Sequence, residues 1–189
     1  MKNIAIFASG NGTNAERIIR YFEGSDTIQV AVVFTNNSKA GVISRAHNLI
    51  VDVHIINRNI FNNSSKVMDV IEQYNVDLIV LAGFLWLVPE FLINSFINRI
   101  INIHPALLPS YGGKGMYGIN VHEAVIKSGD TLSGITIHKV SNKYDEGQII
   151  FQVTVDINKN ETPQSLAEKI HLLEYEHFPK IIKKLLLST

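Results

Sequence analysis

At 189 residues, with 17 Lys plus Arg balanced by 17 Asp plus Glu, the chain carries no net charge to draw it to nucleic acid or an anionic membrane. A hydrophobic content of 46% suits one globular domain, residues 1–189, and the lack of cysteine excludes disulfides, thiolate metal sites and a cysteine nucleophile. No apolar run approaches the ~20 residues that span a bilayer, and the N-terminus leads straight into a strand-like segment, so no signal peptide is expected and a cytoplasmic location is.

Strand-like and helix-like segments alternate through the first two-thirds. Residues 4–8 read as a short buried strand, and Ser9-Gly10-Asn11-Gly12-Thr13-Asn14 as a turn opening a helix with Ile18, Ile19 and Phe22 on its core face. Residues 30–34 form a second strand, 42–48 a helix and 53–56 a third strand. Val67, Val70, Ile71 and Tyr74 stripe another helix. The continuous apolar run 78–82 is the pattern of a strand buried on both faces. Pro89 starts a short helix with Phe91, Leu92 and Phe96, and 100–103 is the fifth strand.

The pattern then changes. Pro105, Pro109 and glycines 112, 113, 115 and 118 mark a long loop over 105–118, a length that usually serves function. A helix over 121–128 closes at Gly129. Ile135 and Ile137, and the run 149–151, predict two antiparallel strands joined through 141–147. Thr162-Pro163 starts a last helix, Thr as cap and Pro in the first turn, that buries Leu166, Ile170 and Leu173. The order predicts an α/β, Rossmann-like doubly wound sheet, mostly parallel, with helices on both faces and an antiparallel C-terminal strand pair.

Two features carry chemistry. Gly10-Asn11-Gly12-Thr13-Asn14-Ala15 matches G-x-G-x-x-A, backbone N–H groups at a helix start that can hold a phosphate. The second strand ends in Thr35-Asn36-Asn37, without the acid that a nicotinamide nucleotide's ribose needs, so a small phosphate is favoured. A tight strand-to-helix connection is the plain alternative. The second feature is the end of the fifth strand. Asn102 and His104 alternate onto one face just before Pro105 stops the ladder, which sets a donor amide beside a titratable ring where open sheets bind ligands. Among the other histidines, His122-Glu123 lacks the second His of a zinc helix, because Ile126 stands there. His47, His54 and His177 are expected at the surface or in packing, and His138 is open between the core and support of the site. Asp145, alone, would be a turn residue.

Together, Ser9-Gly10-Asn11-Gly12-Thr13-Asn14, Ala82-Gly83-Phe84, Asn102-Ile103-His104-Pro105 with Leu107-Leu108-Pro109, Gly134-Ile135-Thr136-Ile137-His138, and Asp145-Glu146-Gly147 resemble the phosphoribosylglycinamide formyltransferases. These are folate-dependent glycinamide ribonucleotide transformylases of purine synthesis, and the likeness covers essentially the whole chain. The Asn-Ile-His-Pro segment is common to the wider formyltransferase group, whose methionyl-tRNA and deformylase members add domains not expected in 189 residues. The resemblance implies formyl transfer from 10-formyltetrahydrofolate, as co-substrate, to phosphoribosylglycinamide. It implies Asn102, His104 and Asp145 as the catalytic trio, Gly12, Thr13, Asn14 and Glu174 at the ribonucleotide, and Leu85, Trp86, Leu87, Val88 and Asn102 at the folate. It implies small-molecule substrates only, with no metal, no nucleic acid and no membrane partner, in a monomer or weak homodimer. This chain departs from the family at Tyr111-Gly112-Gly113 and the longer loop to Gly118, and at Trp86, where Arg is common. Other folate-dependent formyltransferases or formyl hydrolases, a Rossmann-type oxidoreductase and a non-catalytic sugar-phosphate binder are the alternatives.

Overall fold

The structure, a computed structural model, describes residues 1–62 and 64–188. Strands β1 (Lys2–Phe7), β2 (Ile28–Thr35), β3 (Asp52–Ile55), β4 (Val76–Leu81), β5 (Ile100–His104), β6 (Leu132–Lys139) and β7 (Ile149–Asp156) form one sheet in the order β3-β2-β1-β4-β5-β6-β7. The first five pair in parallel, β6 runs antiparallel to β5, and β7 antiparallel to β6.

Alternation along the strands builds a core on each face of the sheet. Ile4 and Ile6 of β1 join one core and Ala5 and Phe7 the other. The first core is covered by α1 (Thr13–Phe22), α2 (Gly41–Asn48), α6 (Ile119–Ser128) and α7 (Pro163–Leu187). The second is covered by α3 (Arg58–Phe61), α4 (Ser64–Gln73) and α5 (Glu90–Ser95). In α1 the buried residues are Ala15, Ile18, Ile19 and Phe22, one stripe of a 3.6-residue period. A capping box between Thr162 and Ser165 opens α7, with Pro163 in its first turn. The one-turn α3 has no sequence periodicity and was not expected; the Asn57 side chain starts it by accepting from the Ile60 N–H at 2.9 Å.

From β1 the sheet grows through β2 and β3 on one side and through β4 to β7 on the other. The turn after β1 and the segment after β4 therefore diverge and leave a crevice at the carboxyl ends of the strands. Ser9 ties its two lips. Its N–H donates to Gly83 O and its hydroxyl accepts from the Leu85 N–H, both at 3.0 Å.

Candidate active site

Strand register brings the predicted trio together. Asn102 of β5 lies directly opposite His138 of β6, and His104 opposite Thr136, so all four point to one face. Asn102 Nδ2 sits 3.1 Å from His138 Nε2. The ring N–H at His138 Nδ1 donates to Lys139 O at 2.8 Å, which leaves Nε2 as the acceptor for the amide. That bond uses one amide proton of Asn102 and leaves the other free. Asp145, in the turn between β6 and β7, reaches both rings: its carboxylate lies 3.6 Å from His104 Nδ1 and 3.6 Å from His138 Nε2. His138, open in the sequence, thus belongs to the site.

The loop after β5 contributes main chain rather than side chains. Tyr111 O lies 2.8 Å from His104 Nε2, and the Gly113 N–H donates to Asp145 Oδ2 at 2.9 Å. A Cβ at Gly112 would crowd this approach, meeting the end of the Leu108 side chain at 2.7 Å and Asp145 Cβ at 3.1 Å. Burial is the largest influence on His104 and pushes its pKa down. Asp145 and the Tyr111 carbonyl pull it up, and His138 lowers it further; the net direction is below the ordinary value. Asp145 thus pulls towards imidazolium, against the desolvation of a ring only 3% exposed. Burial also pushes the Asp145 carboxyl up, yet the neighbouring His138 and His104 rings and the Gly113 N–H together hold it below the usual range.

At the Gly-rich turn, Gly12 (φ 77°) caps α1 without a side-chain bond, so the first-turn N–H groups, Thr13 and Asn14 among them, have no intrahelical acceptor. A Cβ on Gly12 would come within 2.6 Å of the Val42 backbone, so the fold itself demands glycine here besides any ligand. Arg45, unremarked in the sequence, clamps the turn by donating to Asn11 O at 2.9 Å while paired with Glu16. Asn14 Nδ2 donates to Glu174 Oε2 at 2.8 Å, which joins α1 to α7. Burial raises the Glu174 pKa to about 7, with the Asn14 bond opposing. On the neighbouring α6, His122 is buried and its Nδ1 has no partner; burial, then His171 and His104, lower its pKa to about 4.

A cleft of about 60 Å³ opens beside the trio, lined by Leu81, Phe84, Trp86, Leu87, Val88 and Asn102 on one side and His138, Val140, Ser141, Lys143, Tyr144 and Asp145 on the other. Trp86, Leu87, Val88 and Asn102, expected at the folate, are among this lining. Leu85, expected there too, is not: the residue is 44% exposed and its N–H is turned to Ser9. The Arg58 guanidinium stacks over Trp86, 4.1 Å from the ring centroid. Among the described residues no cluster of three or more His, Asp or Glu is arranged to hold a metal ion. No helix of the described residues is long and apolar enough to cross a membrane.

Residues 2–182 match the family described as formyl transferase. The chain is 38% identical over 187 residues to the chloroplastic phosphoribosylglycinamide formyltransferase of Arabidopsis thaliana, covering 96% of this chain and 64% of that relative. It thus spans less than two-thirds of the length of the plant relatives, with 61% for the Vigna unguiculata protein. With the phosphoribosylglycinamide formyltransferase of Bacillus subtilis (strain 168) it shares 32% identity over 98% of this chain and 95% of the relative. Among solved structures, the enzyme of that name from Bacillus halodurans superimposes with a TM-score of 0.87 at 33% identity, covering 98% of this chain and 95% of that one. The Anaplasma phagocytophilum enzyme gives 0.90 at 30%, over 98% and 87%. With its strand-end Asn102 and His104 inside a match that runs nearly end to end, the chain belongs to the formyl transferase family.

Proposed function

We propose that this protein transfers the formyl group of 10-formyltetrahydrofolate to the amine of 5'-phosphoribosylglycinamide, giving the N-formyl product and tetrahydrofolate for purine (IMP) synthesis. The convergence of Asn102, His104 and Asp145 at the edge of a half-apolar cleft carries the reading. The relatives' names supply the substrates. In this reading the ribonucleotide's phosphate rests on the N–H groups after Gly12, with Thr13, Asn14 and Glu174 around the sugar. The pterin enters the cleft past Trp86, Leu87 and Val88. The cleft is too small for the whole co-substrate, so its benzoylglutamate runs out over Trp86, where Arg58 meets the carboxylates.

A free α-amine titrates near ~8, so a useful fraction is nucleophilic at neutral pH. The amine attacks the formyl carbon, and the free N–H of Asn102 donates to the oxyanion that forms. His104 takes the proton from the attacking nitrogen, and Asp145 stabilises the imidazolium so formed. The proton passes to N10 as the C–N10 bond breaks. No step calls on a metal.

The test is purified protein with both substrates, following tetrahydrofolate and formylated ribonucleotide by mass spectrometry. Transfer is expected, and Asn102→Ala should lower kcat by ~10²–10³ with little change in either KM. Formate release without formylated ribonucleotide would make the protein a hydrolase instead.

A further inference from the structure

The chain between β1 and α1 is fastened to α2 through its carbonyls. Gly10 O accepts from the Val42 N–H at 3.2 Å and Asn11 O from Arg45 Nε at 2.9 Å, while Arg45 Nη2 donates to Asn11 Oδ1 at 3.4 Å. The packing there is close, since a Cβ on Gly12 would strike Val42 and one on Gly41 would come within 2.7 Å of Asn11 Oδ1. The Gly10–Asn11 and Asn11–Gly12 peptides are trans, so the C=O of one residue and the N–H of the next point in opposite directions. Holding both carbonyls against α2 therefore turns the N–H groups of Asn11 and Gly12 away from it. Those of Thr13 and Asn14 follow at the open start of α1, and among the described residues none of the four donates to a protein acceptor. Gly12, left-handed at φ 77° and followed by helix, curls these successive N–H groups into a concavity of the kind that holds anions.

We propose that Arg45 is a positioning residue for the ribonucleotide: by holding the Asn11 carbonyl against α2, it keeps this row of N–H groups aimed at the substrate's phosphate. The proposal rests on the phosphate reading of the turn. A carbonyl swung back among the donors would set its lone pairs against the phosphate oxygens and take the Gly12 N–H away from them. The guanidinium has a second effect. Glu16 stands in the first turn of α1, where its negative charge opposes an anion, and Arg45 Nη1 and Arg20 Nη2 both meet its carboxylate, Arg20 at 3.0 Å. Two cations against one carboxylate leave a positive charge at this edge of the turn. Lysine cannot take the place of Arg45. One ammonium on a flexible stem lacks the planar fork that meets the carbonyl through Nε and the carboxylate through Nη1 at once.

The experiment is Arg45→Lys and Arg45→Met beside Glu16→Gln, with steady-state kinetics in both substrates and amide NMR of the protein titrated with inorganic phosphate. In the wild type, phosphate should move the amide signals of Asn11, Gly12, Thr13 and Asn14 and compete with the ribonucleotide. In both Arg45 variants the ribonucleotide KM and the inhibition constant of phosphate should rise together by roughly tenfold, the scale of one lost hydrogen bond to a charged group. The folate KM and kcat should hold. Glu16→Gln keeps an acceptor for Arg45 and removes only the negative charge, so it should leave the ribonucleotide KM unchanged or lower it. Wild-type phosphate and ribonucleotide constants in Arg45→Lys would overturn the proposal, as would a rise in both KM values, the mark of general loosening. A Glu16→Gln loss as large as that of Arg45→Met would also overturn it, leaving an ordinary bridge between α1 and α2. So would turn amides that phosphate does not move in the wild type. Failure of the transferase reading is separable, because it appears in the wild type as absence of formylated product, whatever the variants do to phosphate binding.

Discussion

Asp145 faces two imidazoles, and its removal tells a resting base from a resting acid. In Asp145→Asn the His104 pKa falls further, since the carboxylate is the largest influence raising it. If neutral His104 is the base, kcat should drop roughly 10²-fold and acidification should restore none of it, because protonation consumes the base. Recovery at lower pH would instead make imidazolium the working form; a pH–rate profile beside an NMR titration of His104 decides. Glu174 and His122 supply a second test at this scale. Glu174 has its folded pKa raised from 4.5 to about 7, so its contribution to stability is full below 4.5 and lost as pH rises through 7. His122 has its pKa lowered from 6.5 to about 4, so its contribution is full above 6.5 and lost as pH falls towards 4. The slopes oppose each other between 4.5 and 6.5 and largely cancel. Glu174→Gln should therefore gain stability as pH rises across that range, and His122→Phe should lose it, in urea unfolding series. Parallel curves for both variants would refute the pairing. For Glu174 alone the swing is roughly 3 kcal/mol, the size of a ~2.5-unit shift.

Helix α3 brings to the cleft what its sequence does not advertise. Its single turn places Arg58 on Trp86, and no carboxylate of the described residues pairs with that guanidinium. Arg58→Ala is expected to raise KM for the folate by about tenfold and leave the ribonucleotide's KM alone, with the loss deepening for co-substrates bearing more glutamates. An unchanged folate KM would remove Arg58 from the site. Such an element is hard to read in a sequence. Four residues cannot show a helical period, and stacking between residues 58 and 86 follows from the fold. The longer elements were legible because each carries its own signal, such as the stripe at Ala15, Ile18, Ile19 and Phe22 or the Thr162-Pro163 start. Asn102 and His104 were legible for the same reason, since alternation alone puts them on one face. Asp145 entered through the family resemblance, and its place beside both rings depends on the antiparallel register. The Tyr111 carbonyl had no signature, because the main-chain carbonyl is the same in every residue. Gly12 was read for its ligand, whereas Val42 gives it a packing reason as well.

Across the whole molecule, the first core draws on strands from either side of the 105–118 loop and shares β1, β2, β4 and β5 with the second, so the chain is expected to unfold in one cooperative transition, measured by coincident circular dichroism and tryptophan fluorescence. Separate midpoints would mean two units. The sheet also places the proposed ribonucleotide turn and the folate segment on opposite lips of one crevice, with Ser9 bonded to both Gly83 and Leu85. Tightening one lip on its ligand then orders the other, and by reciprocity each substrate improves the affinity for its partner by the same factor, roughly fivefold. Calorimetry of folate binding with and without ribonucleotide measures that factor, and Ser9→Ala, which loses the Leu85 bond and keeps the main-chain bond to Gly83, should bring it towards unity. In steady-state terms, double-reciprocal lines for the wild type converge above the abscissa; with the serine hydroxyl gone the crossing point drops towards it, and each substrate's half-saturation depends less on how much of the other is present.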